Sequence, residues 1–445
     1  MLDLSSNSTA SPRPNSKRHN SGCTGPLHTN VAIVGGGIVG MTLAAALKSS
    51  GLQVTIIDAS PREATLTRER AYAITLLSGT LFDDLGLWSS ILPDITTFNT
   101  IRLADAQCPA VVNLRPSDLG TAALGYVGEH RILARELQRC LDTASNIRWL
   151  CPARVDSVTY GNTSALLRVS QGGETYPIQA DVVVAADGSR SQLRQQAQIT
   201  TMGWKYWQSC VTAVIRPEHS HGNIAREHFW PSGPFATLPL PGNRCQIVLT
   251  APHAEAENLL AMSDQDFLAL LSDRYGGALG QLELLGQRRL FPVQLMHSSR
   301  YVKSRLVLVG DAAHCCHPVG GQGLNLGIRD AAALAQTLRS AHKQGRDIGA
   351  LPTLKRYERW RQIENLAILG FTDVLDRSFS NRWPPVVMVR RLGLRVMARV
   401  RPVRWLALKI MTGLMGRSPQ LPSSLTQDDR SAVQHLEAKA NPSSQ

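Results

Sequence analysis

The feature that most constrains the fold is the segment VAIVGGGIVGMTLAAALKSSGLQVTIIDA, residues 31–59. Its apolar run Val31–Val34 predicts a buried parallel strand, and the Ala- and Leu-rich run that follows predicts a helix that Gly51 ends. A second predicted strand, Gln53–Ile57, ends at Asp58. These elements together predict a βαβ unit at the start of the ordered chain.

Three glycines in this unit, Gly35, Gly37 and Gly40, have the GxGxxG spacing. Gly35 allows a tight turn, Gly37 lets a pyrophosphate approach the backbone, and Gly40 lets the helix pack closely on the strand. The free N–H groups of the helix N-terminus attract the phosphates. Asp58 lies 23 residues after Gly35 and is placed to accept hydrogen bonds from an adenosine ribose. We therefore predict a dinucleotide site rather than a glycine-rich turn without a ligand.

Composition narrows the class of protein further. The 445 residues suffice for two or more lobes, and no apolar run approaches the roughly 20 residues that span a bilayer. The net charge of +13 predicts an anionic partner, which is a nucleotide, a membrane surface or nucleic acid. The eight cysteines include no CxxC and no second GxGxxG follows, which argues against a disulfide-reductase flavoenzyme. A reducing, cytoplasmic compartment is expected.

A second glycine-rich stretch, GDAAHCCHPVGGQGLNLGIRD, runs from Gly310 to Asp330. It lies between a predicted strand, Arg305–Val309, and a predicted helix, Leu324–Ala341, so that backbone N–H groups again converge on a helix start. A metal site is the alternative, but four adjacent potential ligands, His314, Cys315, Cys316 and His317, are too close together to surround one ion. We predict no metal, and expect these side chains to pack behind a nucleotide-binding loop.

Three motifs now stand in order: GGGIVG, the mid-chain ADGSRS, and the stretch from Gly310 to Asp330. This order resembles the single-component aromatic flavoprotein hydroxylases, the family of para-hydroxybenzoate hydroxylase. Within it, HPVGGQGLNLGIRD is similar to the signature of the ubiquinone-biosynthesis hydroxylases, and the resemblance covers residues 31–416. The resemblance implies an α/β fold in which a Rossmann-like FAD-binding domain is interleaved with an antiparallel-sheet substrate domain, followed by a C-terminal helical segment.

The expected organisation has six segments. Residues 1–30 form a disordered lead-in; 31–199 the first part of the FAD-binding domain, with interleaved substrate-domain strands; and 200–300 a mainly antiparallel substrate domain. Residues 301–375 complete the FAD-binding domain, 376–420 form basic amphipathic helices, and 421–445 a disordered tail. The Ser-, Asn- and Pro-rich lead-in has few acids, so an organelle-targeting role stays open.

The resemblance also implies a set of cofactor-binding residues. Gly35, Gly37, Gly40 and Asp58 would hold the ADP half of FAD, with Arg70 and Arg131 near the flavin. Asp187 and Gly188 match a motif associated with FAD and the pyridine nucleotide, while Gly310 and Asp311 would adjoin the ribityl and pyrophosphate region. The isoalloxazine would be lined by Pro318, Gly320, Gly321, Gln322, Gly323, Leu324 and Asn325. No side chain is nominated as a catalytic acid or base.

The tail from residue 377 to 417 is basic and contains no acid. Arginines alternate there with Trp, Val, Leu and Met, and Pro384–Pro385 and Pro402 divide it into two short helices. Such a pair is typical of a membrane-surface anchor. The alternative is a helical pair that caps the substrate domain with its arginines in solvent, and the two interpretations are compatible. We expect no nucleic-acid binding, since no binding fold accompanies the charge.

The function expected from these features is FAD-dependent hydroxylation of the aromatic ring of a prenylated phenol or quinone precursor. It would use O2 and a reduced donor, NAD(P)H or a ferredoxin, in ubiquinone or related quinone biosynthesis, at the membrane surface or within a quinone-synthesis complex. The alternatives are a non-hydroxylating flavoprotein oxidoreductase or isoprenoid epoxidase of the same fold, and a non-catalytic partner that retains FAD.

Overall fold

The computed structural model describes residues 26–105, 108–381 and 383–422. The lead-in up to residue 25 and the tail from residue 423 lie outside the described residues. Strands in chain order are β1 Leu27–Val34, β2 Val54–Ile57, β3 Ala71–Ile74, β4 Thr96–Phe98, β5 Thr100–Asp105, β6 Cys108–Leu114, β7 Gly125–Glu129, β8 Ile147–Leu150, β9 Arg154–Tyr160, β10 Ala165–Gln171, β11 Glu174–Ala185, β12 Thr201–Pro217, β13 Ile224–Trp230, β14 Gly233–Leu240, β15 Arg244–Pro252, β16 Leu282–Ser298, β17 Val302–Lys303, β18 Leu306–Leu308 and β19 His314–Cys315.

Helices in chain order are α1 Ile38–Leu47, α2 Leu76–Asp84, α3 Trp88–Ile91, α4 His130–Asp142, α5 Gln192–Gln196, α6 His253–Ala261, α7 Asp264–Tyr275, α8 Gln322–Lys343, α9 Leu351–Phe379, α10 Pro384–Arg399 and α11 Arg401–Met411. Within the described ranges, no helix combines the length and the apolar character needed to cross a membrane. The predicted α/β fold class is confirmed.

The first sheet has the strand order β17-β18-β11-β1-β2-β8, with β1 parallel to both β2 and β11. Val31–Ile33 of β1 are completely buried because helices cover the sheet, which agrees with the apolar run in the sequence. The strand begins at Leu27, four residues before the predicted start and inside the segment assigned to the lead-in. Polar residues conceal this extension in the sequence, since Thr29 bonds to the carbonyl of Gln53 and Asn30 to Asp181.

The second sheet has the order β19-β16-β12-β15-β14-β13-β5-β6. Its strands are antiparallel except for the parallel pair β13 and β5. In chain order, β5 and β6 lie between β2 and β8 of the first sheet, so the two sheets are interleaved along the sequence. Side chains alternate along β13, so that one face of this sheet turns toward the α8 loop and the other is covered by α6 and α7.

The C-terminal helices pack against this second sheet. Arg390 of α10 forms an ion pair with Asp105 of β5 at 2.7 Å, and both side chains are almost completely buried. Arg404 of α11 bonds to Asp118 at 2.8 Å. The prolines begin these helices rather than interrupt a longer one, because they occupy the first turn of α10 and of α11. Helix α9 runs to Phe379, across the expected boundary at residue 375.

Candidate functional site

A cavity of about 920 Å³ connects the first sheet with the second. Its wall includes the turn between β1 and α1, strand β3, the loop before α8, one face of the second sheet, and the inner sides of α9, α10 and α11. Ten of the predicted cofactor-binding residues line it: Gly37, Arg70, Gly188, Asp311, Pro318, Gly320, Gly321, Gln322, Gly323 and Leu324. The three motifs, distant in sequence, therefore meet at one site.

Gly35 and Gly40 lie behind the cavity wall. Gly35 has φ of +116°, and a Cβ there would lie 2.2 Å from the carbonyl oxygen of Ala186. A Cβ at Gly40 would lie 2.0 Å from the carbonyl oxygen of Gly35. These positions set the turn and the close approach of α1 to the sheet, as their spacing suggested.

Asp58 lies at the end of β2, beside the glycine turn. Its Oδ2 accepts a hydrogen bond from the backbone N–H of Gly36 at 2.6 Å, and its Oδ1 accepts one from the N–H of Ser60 at 2.7 Å. The carboxylate therefore holds the turn in shape. Its contact with an adenosine ribose stays a prediction.

The two predicted arginines differ in position. Arg70 lines the cavity, with its guanidinium over the rings of Tyr72 and Phe291 at 5.2 and 5.1 Å from their centroids. Arg131 is not part of the cavity wall; its side chain is 57% exposed and pairs with Glu129 at 3.0 Å. Arg131 is the second residue of α4, and this position at the helix start directs its side chain outward.

Asp187 caps a helix, while the adjacent Gly188 lines the cavity. Oδ2 of Asp187 accepts a hydrogen bond from the N–H of Gln192 in the first turn of α5, at 2.9 Å. Its Oδ1 is buried and has no hydrogen-bond partner among the described residues. This oxygen is free to accept a bond from a ligand hydroxyl.

Asn325 fastens the start of α8 to β3 and α2 rather than lining the cavity. Its Oδ1 accepts hydrogen bonds from Thr75 N and Ser78 Oγ, at 2.9 and 2.7 Å. Its Nδ2 donates to the carbonyl oxygens of Ala73 and Gly321, at 2.8 and 2.7 Å. The amide thus fixes the glycine loop from behind.

Gly310 and Asp311 are held by a buried polar cluster. Asp330 accepts a hydrogen bond from Gly310 N at 3.1 Å, lies 2.6 Å from His314 Nε2, and accepts one from Arg361 Nε at 2.8 Å. Burial opposes ionisation of Asp330, but His314 and Arg361 outweigh it and hold the pKa of this carboxyl far below its usual range. The negative charge of Asp330 therefore anchors the turn that ends β18.

Asp311 itself turns toward the cavity. Its side chain is open to the cavity, but the cavity itself lies within the protein. The resulting loss of solvation raises the pKa of Asp311, while the positive charges of His314 and Arg70 act in the opposite direction. A raised pKa favours the protonated carboxyl, which can both donate a hydrogen bond to a ligand hydroxyl and accept one from it.

The four adjacent residues His314–His317 have different surroundings. His314 is part of the Asp330 cluster, and His317 Nε2 lies 3.4 Å from Asp376. Cys315 and Cys316 line the cavity, and burial raises the pKa of the Cys316 thiol to about 12. In the described residues, no group of three or more His, Cys, Asp or Glu is arranged to hold a metal ion.

Several lining residues carry no motif and were missed by sequence reasoning. Tyr72 and His130 are one such pair, with Tyr72 Oη 3.1 Å from His130 Nδ1. Burial and the nearby Arg68 and Arg70 lower the pKa of His130 to about 4, so its ring is neutral at physiological pH. Glu227, on the second sheet, is another. Only the alternation of side chains between the two faces of β13 could have indicated which way Glu227 points.

The residues present fit a flavin dinucleotide. The N-termini of α1 and α8 are capped by Gly37 and Gly321, with no capping side chain and no acid in either first turn. A Cβ at Gly37, Gly188 or Gly320 would meet open space, so that backbone N–H groups face the cavity uncovered. Two helix N-termini therefore face one cavity, and their N–H groups would suit a pyrophosphate at one end and the electron-rich edge of a flavin at the other.

These features are those expected of a flavoprotein, with an apolar chamber continuous with the dinucleotide-like site. The model of the family described as FAD binding domain matches residues 28–363. The ubiquinone hydroxylase UbiL of Rhodospirillum rubrum is 38% identical over 88% of this chain and 91% of its own. The 3-demethoxyubiquinol 3-hydroxylase of Escherichia coli is 33% identical over 87% of this chain and 99% of its own.

The p-nitrophenol 4-monooxygenase PnpA of Pseudomonas putida has the same fold, with a TM-score of 0.75 and 18% identity over 88% of this chain and 99% of that one. The chain belongs to the FAD-dependent aromatic hydroxylases and, within them, to the ubiquinone-biosynthesis hydroxylases. The predicted family is thereby confirmed.

Proposed function

We propose that this protein hydroxylates the aromatic ring of a prenylated phenol or quinone precursor, using FAD, O2 and a reduced donor, in ubiquinone or related quinone biosynthesis. The observation that carries the proposal is the continuity of the cavity. It begins at the glycine turns that suit FAD and extends without a break over the second sheet, where its lining is largely apolar. A ring in that chamber would lie against the flavin end of the cavity.

Bound FAD would supply the oxygen-activating chemistry. The pyrophosphate would meet the start of α1 at Gly37, and Asp187 and Asp311 would accept hydrogen bonds from hydroxyls between the two ends. The backbone N–H groups at the start of α8 would stabilise negative charge on the reduced ring system. Asn325 would keep those N–H groups in place, since its hydrogen bonds tie the start of α8 to Gly321, β3 and the start of α2.

The far end of the cavity suits a prenyl chain. The walls there come from α9, α10 and α11 and consist of Phe371, Leu375, Phe379, Leu394, Met397 and Met411. Burying a hydrocarbon chain against such residues is favourable by about 25 cal/mol per Å². A ring at the flavin end and a tail among the C-terminal helices would fill the chamber from end to end.

We also propose that α10 and α11 contact a membrane surface. Large apolar side chains on their outer faces are exposed: Trp383, Met388, Val389, Leu392, Val396, Val400, Trp405 and Leu406. Arg395, Arg399 and Arg401 are exposed beside them, which suits anionic lipid headgroups. Because the inner faces of the same helices line the cavity, a lipid-dissolved substrate would have a short path to it. Arg390 is excluded from this role, since it is buried against Asp105.

The reduction step gives a direct test. FAD-loaded protein is mixed anaerobically with NADPH, with and without 2-geranylphenol, and the flavin absorbance is followed. Bleaching that accelerates with the phenol supports a hydroxylase whose donor is a pyridine nucleotide. Bleaching by reduced ferredoxin alone supports the other donor. A protein that cannot be loaded with FAD would overturn the proposal.

A further inference from the structure

Glu227 places a carboxyl group on the apolar floor of the cavity. Strand β13 alternates, so Ala225, Glu227 and Phe229 all line the cavity from the same face. In the register of the sheet, Glu227 lies opposite Leu103 of β5 and Ala236 of β14. Its neighbours along and across the sheet are therefore apolar.

The carboxyl group has no hydrogen bond or ion pair to any described side chain, in contrast to two other buried charged groups. Arg390 has Asp105, and Arg361 has Asp330. Burial alone raises the pKa of Glu227 to about 8. An unpaired buried polar group is costly, and a leucine would fill this place at lower cost. The carboxyl group therefore lies in the cavity wall, where a ligand can reach it.

The other ionisable groups that line the cavity are Arg68, Arg70, Tyr72, His130, Arg190, Lys205, Arg226, Asp311, Cys315 and Cys316. Arg226, the immediate neighbour of Glu227 on β13, directs its guanidinium to the backbone carbonyls of His221 and Ile224. It does not bond to Glu227, which leaves the carboxyl available to the substrate.

We propose that Glu227 binds the ring hydroxyl of the phenolic substrate and accepts its proton. This rests on the proposed function and specifies the polar contact that orients the ring. The step requires the ionised form of Glu227, which becomes populated as the pH rises toward 8. The phenol O–H bond breaks and a bond forms between the proton and a carboxylate oxygen of Glu227, while the electron pair stays on the ring oxygen. No electron is gained or lost. The phenolate is more electron-rich than the phenol, which favours attack by an electrophilic oxygen.

The test compares 2-geranylphenol with its methyl ether, which has the same chain but no donor hydrogen. Dissociation constants are measured with oxidised FAD-loaded protein from the shift in flavin absorbance, for the wild type, Glu227→Leu and Glu227→Gln. Glu283→Gln is the matched control, since Glu283 lies at the surface of β16, 59% exposed in an ion pair with Arg216.

We expect the wild type and E283Q to prefer the phenol by about tenfold or more, as for a hydrogen bond to a charged group. In E227L the preference should vanish while the ether still binds. In E227Q, phenol binding should no longer strengthen as pH rises toward 8. The melting temperatures of both variants should equal or exceed that of the wild type, because no internal partner is lost.

A phenol preference that survives in E227L, or an unchanged pH dependence in E227Q, would overturn the role of Glu227 alone. A fall of several degrees in the melting temperature of both variants would show a structural role instead. If the wild type binds neither probe, the substrate class of the proposed function is wrong, and the role of Glu227 falls with it.

Discussion

The polar cluster around Asp330 makes a quantitative prediction about stability. In Asp330→Asn one of the two carboxylates that pair with Arg361 loses its charge, and Glu364 remains as the other acidic partner. Arg361 and Asp330 are both fully buried. Removing one partner of a buried ion pair costs about 3–5 kcal/mol. At roughly 2–3 °C per kcal/mol for a large chain, the melting temperature should fall by about 6–15 °C. The bond from Gly310 N is weakened too, so FAD affinity should fall with it.

The assay is thermal unfolding by circular dichroism at one scan rate, with and without FAD. Glu283→Gln serves as the control, because its half-exposed pair with Arg216 should contribute at most about 1 kcal/mol. The double variant Asp330→Leu/Arg361→Met should be more stable than D330N, since it removes both charges together. A D330N protein within about 1 kcal/mol of the wild type would refute the reasoning.

Three further predictions concern the cofactor, the membrane and pH. Gly37→Glu should purify without flavin, because its side chain would fill the open space before α1, whereas Gly370→Glu, on an exposed turn of α9, should stay yellow; equal flavin content would contradict this. Replacing Arg395, Arg399 and Arg401 by Gln should reduce sedimentation with phosphatidylglycerol vesicles, unlike the control Arg216→Gln. Unchanged binding would contradict the membrane contact and would mean that α10 and α11 only cap the substrate domain. Because the pKa of Glu227 is raised from 4.5 to about 8, folded protein holds a proton that unfolded protein releases between these values. Wild-type stability should therefore fall relative to Glu227→Gln as pH rises from 5 to 8, by up to about 1.4 kcal/mol per unit, and a pH-independent difference in urea unfolding would contradict this.

The part of the site that could be predicted is the part specified by local sequence. The glycine spacing, the βαβ periodicity and Asp58 all act within about 30 residues, so their geometry follows from the turn and helix they form. Gly35 and Gly40 pack as their spacing required, with the backbone approaching closely at both.

The remainder depends on contacts between distant segments. Arg390 belongs to the basic tail that the sequence suggested as a membrane-surface anchor, but Asp105, nearly three hundred positions earlier, pairs with it inside the protein. Arg131 points to solvent because the first turn of α4 directs it there. Glu227 occupies an ordinary alternating strand, and its place in the cavity depends on which sheet face the α8 loop covers. Periodicity gives the two faces of a strand but not what covers them.

The central claim is that this protein inserts an oxygen atom from O2 into the ring of a prenylated phenol. The most direct measurement is mass spectrometry of 2-geranylphenol after aerobic incubation with FAD-loaded protein and a reduced donor, NADPH or ferredoxin, under ¹⁸O2. We expect a product with one ¹⁸O atom on the ring, formed slowly or not at all by Asp330→Asn that has lost its flavin. Consumption of the donor with hydrogen peroxide as the only product, or ¹⁸O on the prenyl chain instead of the ring, would contradict it.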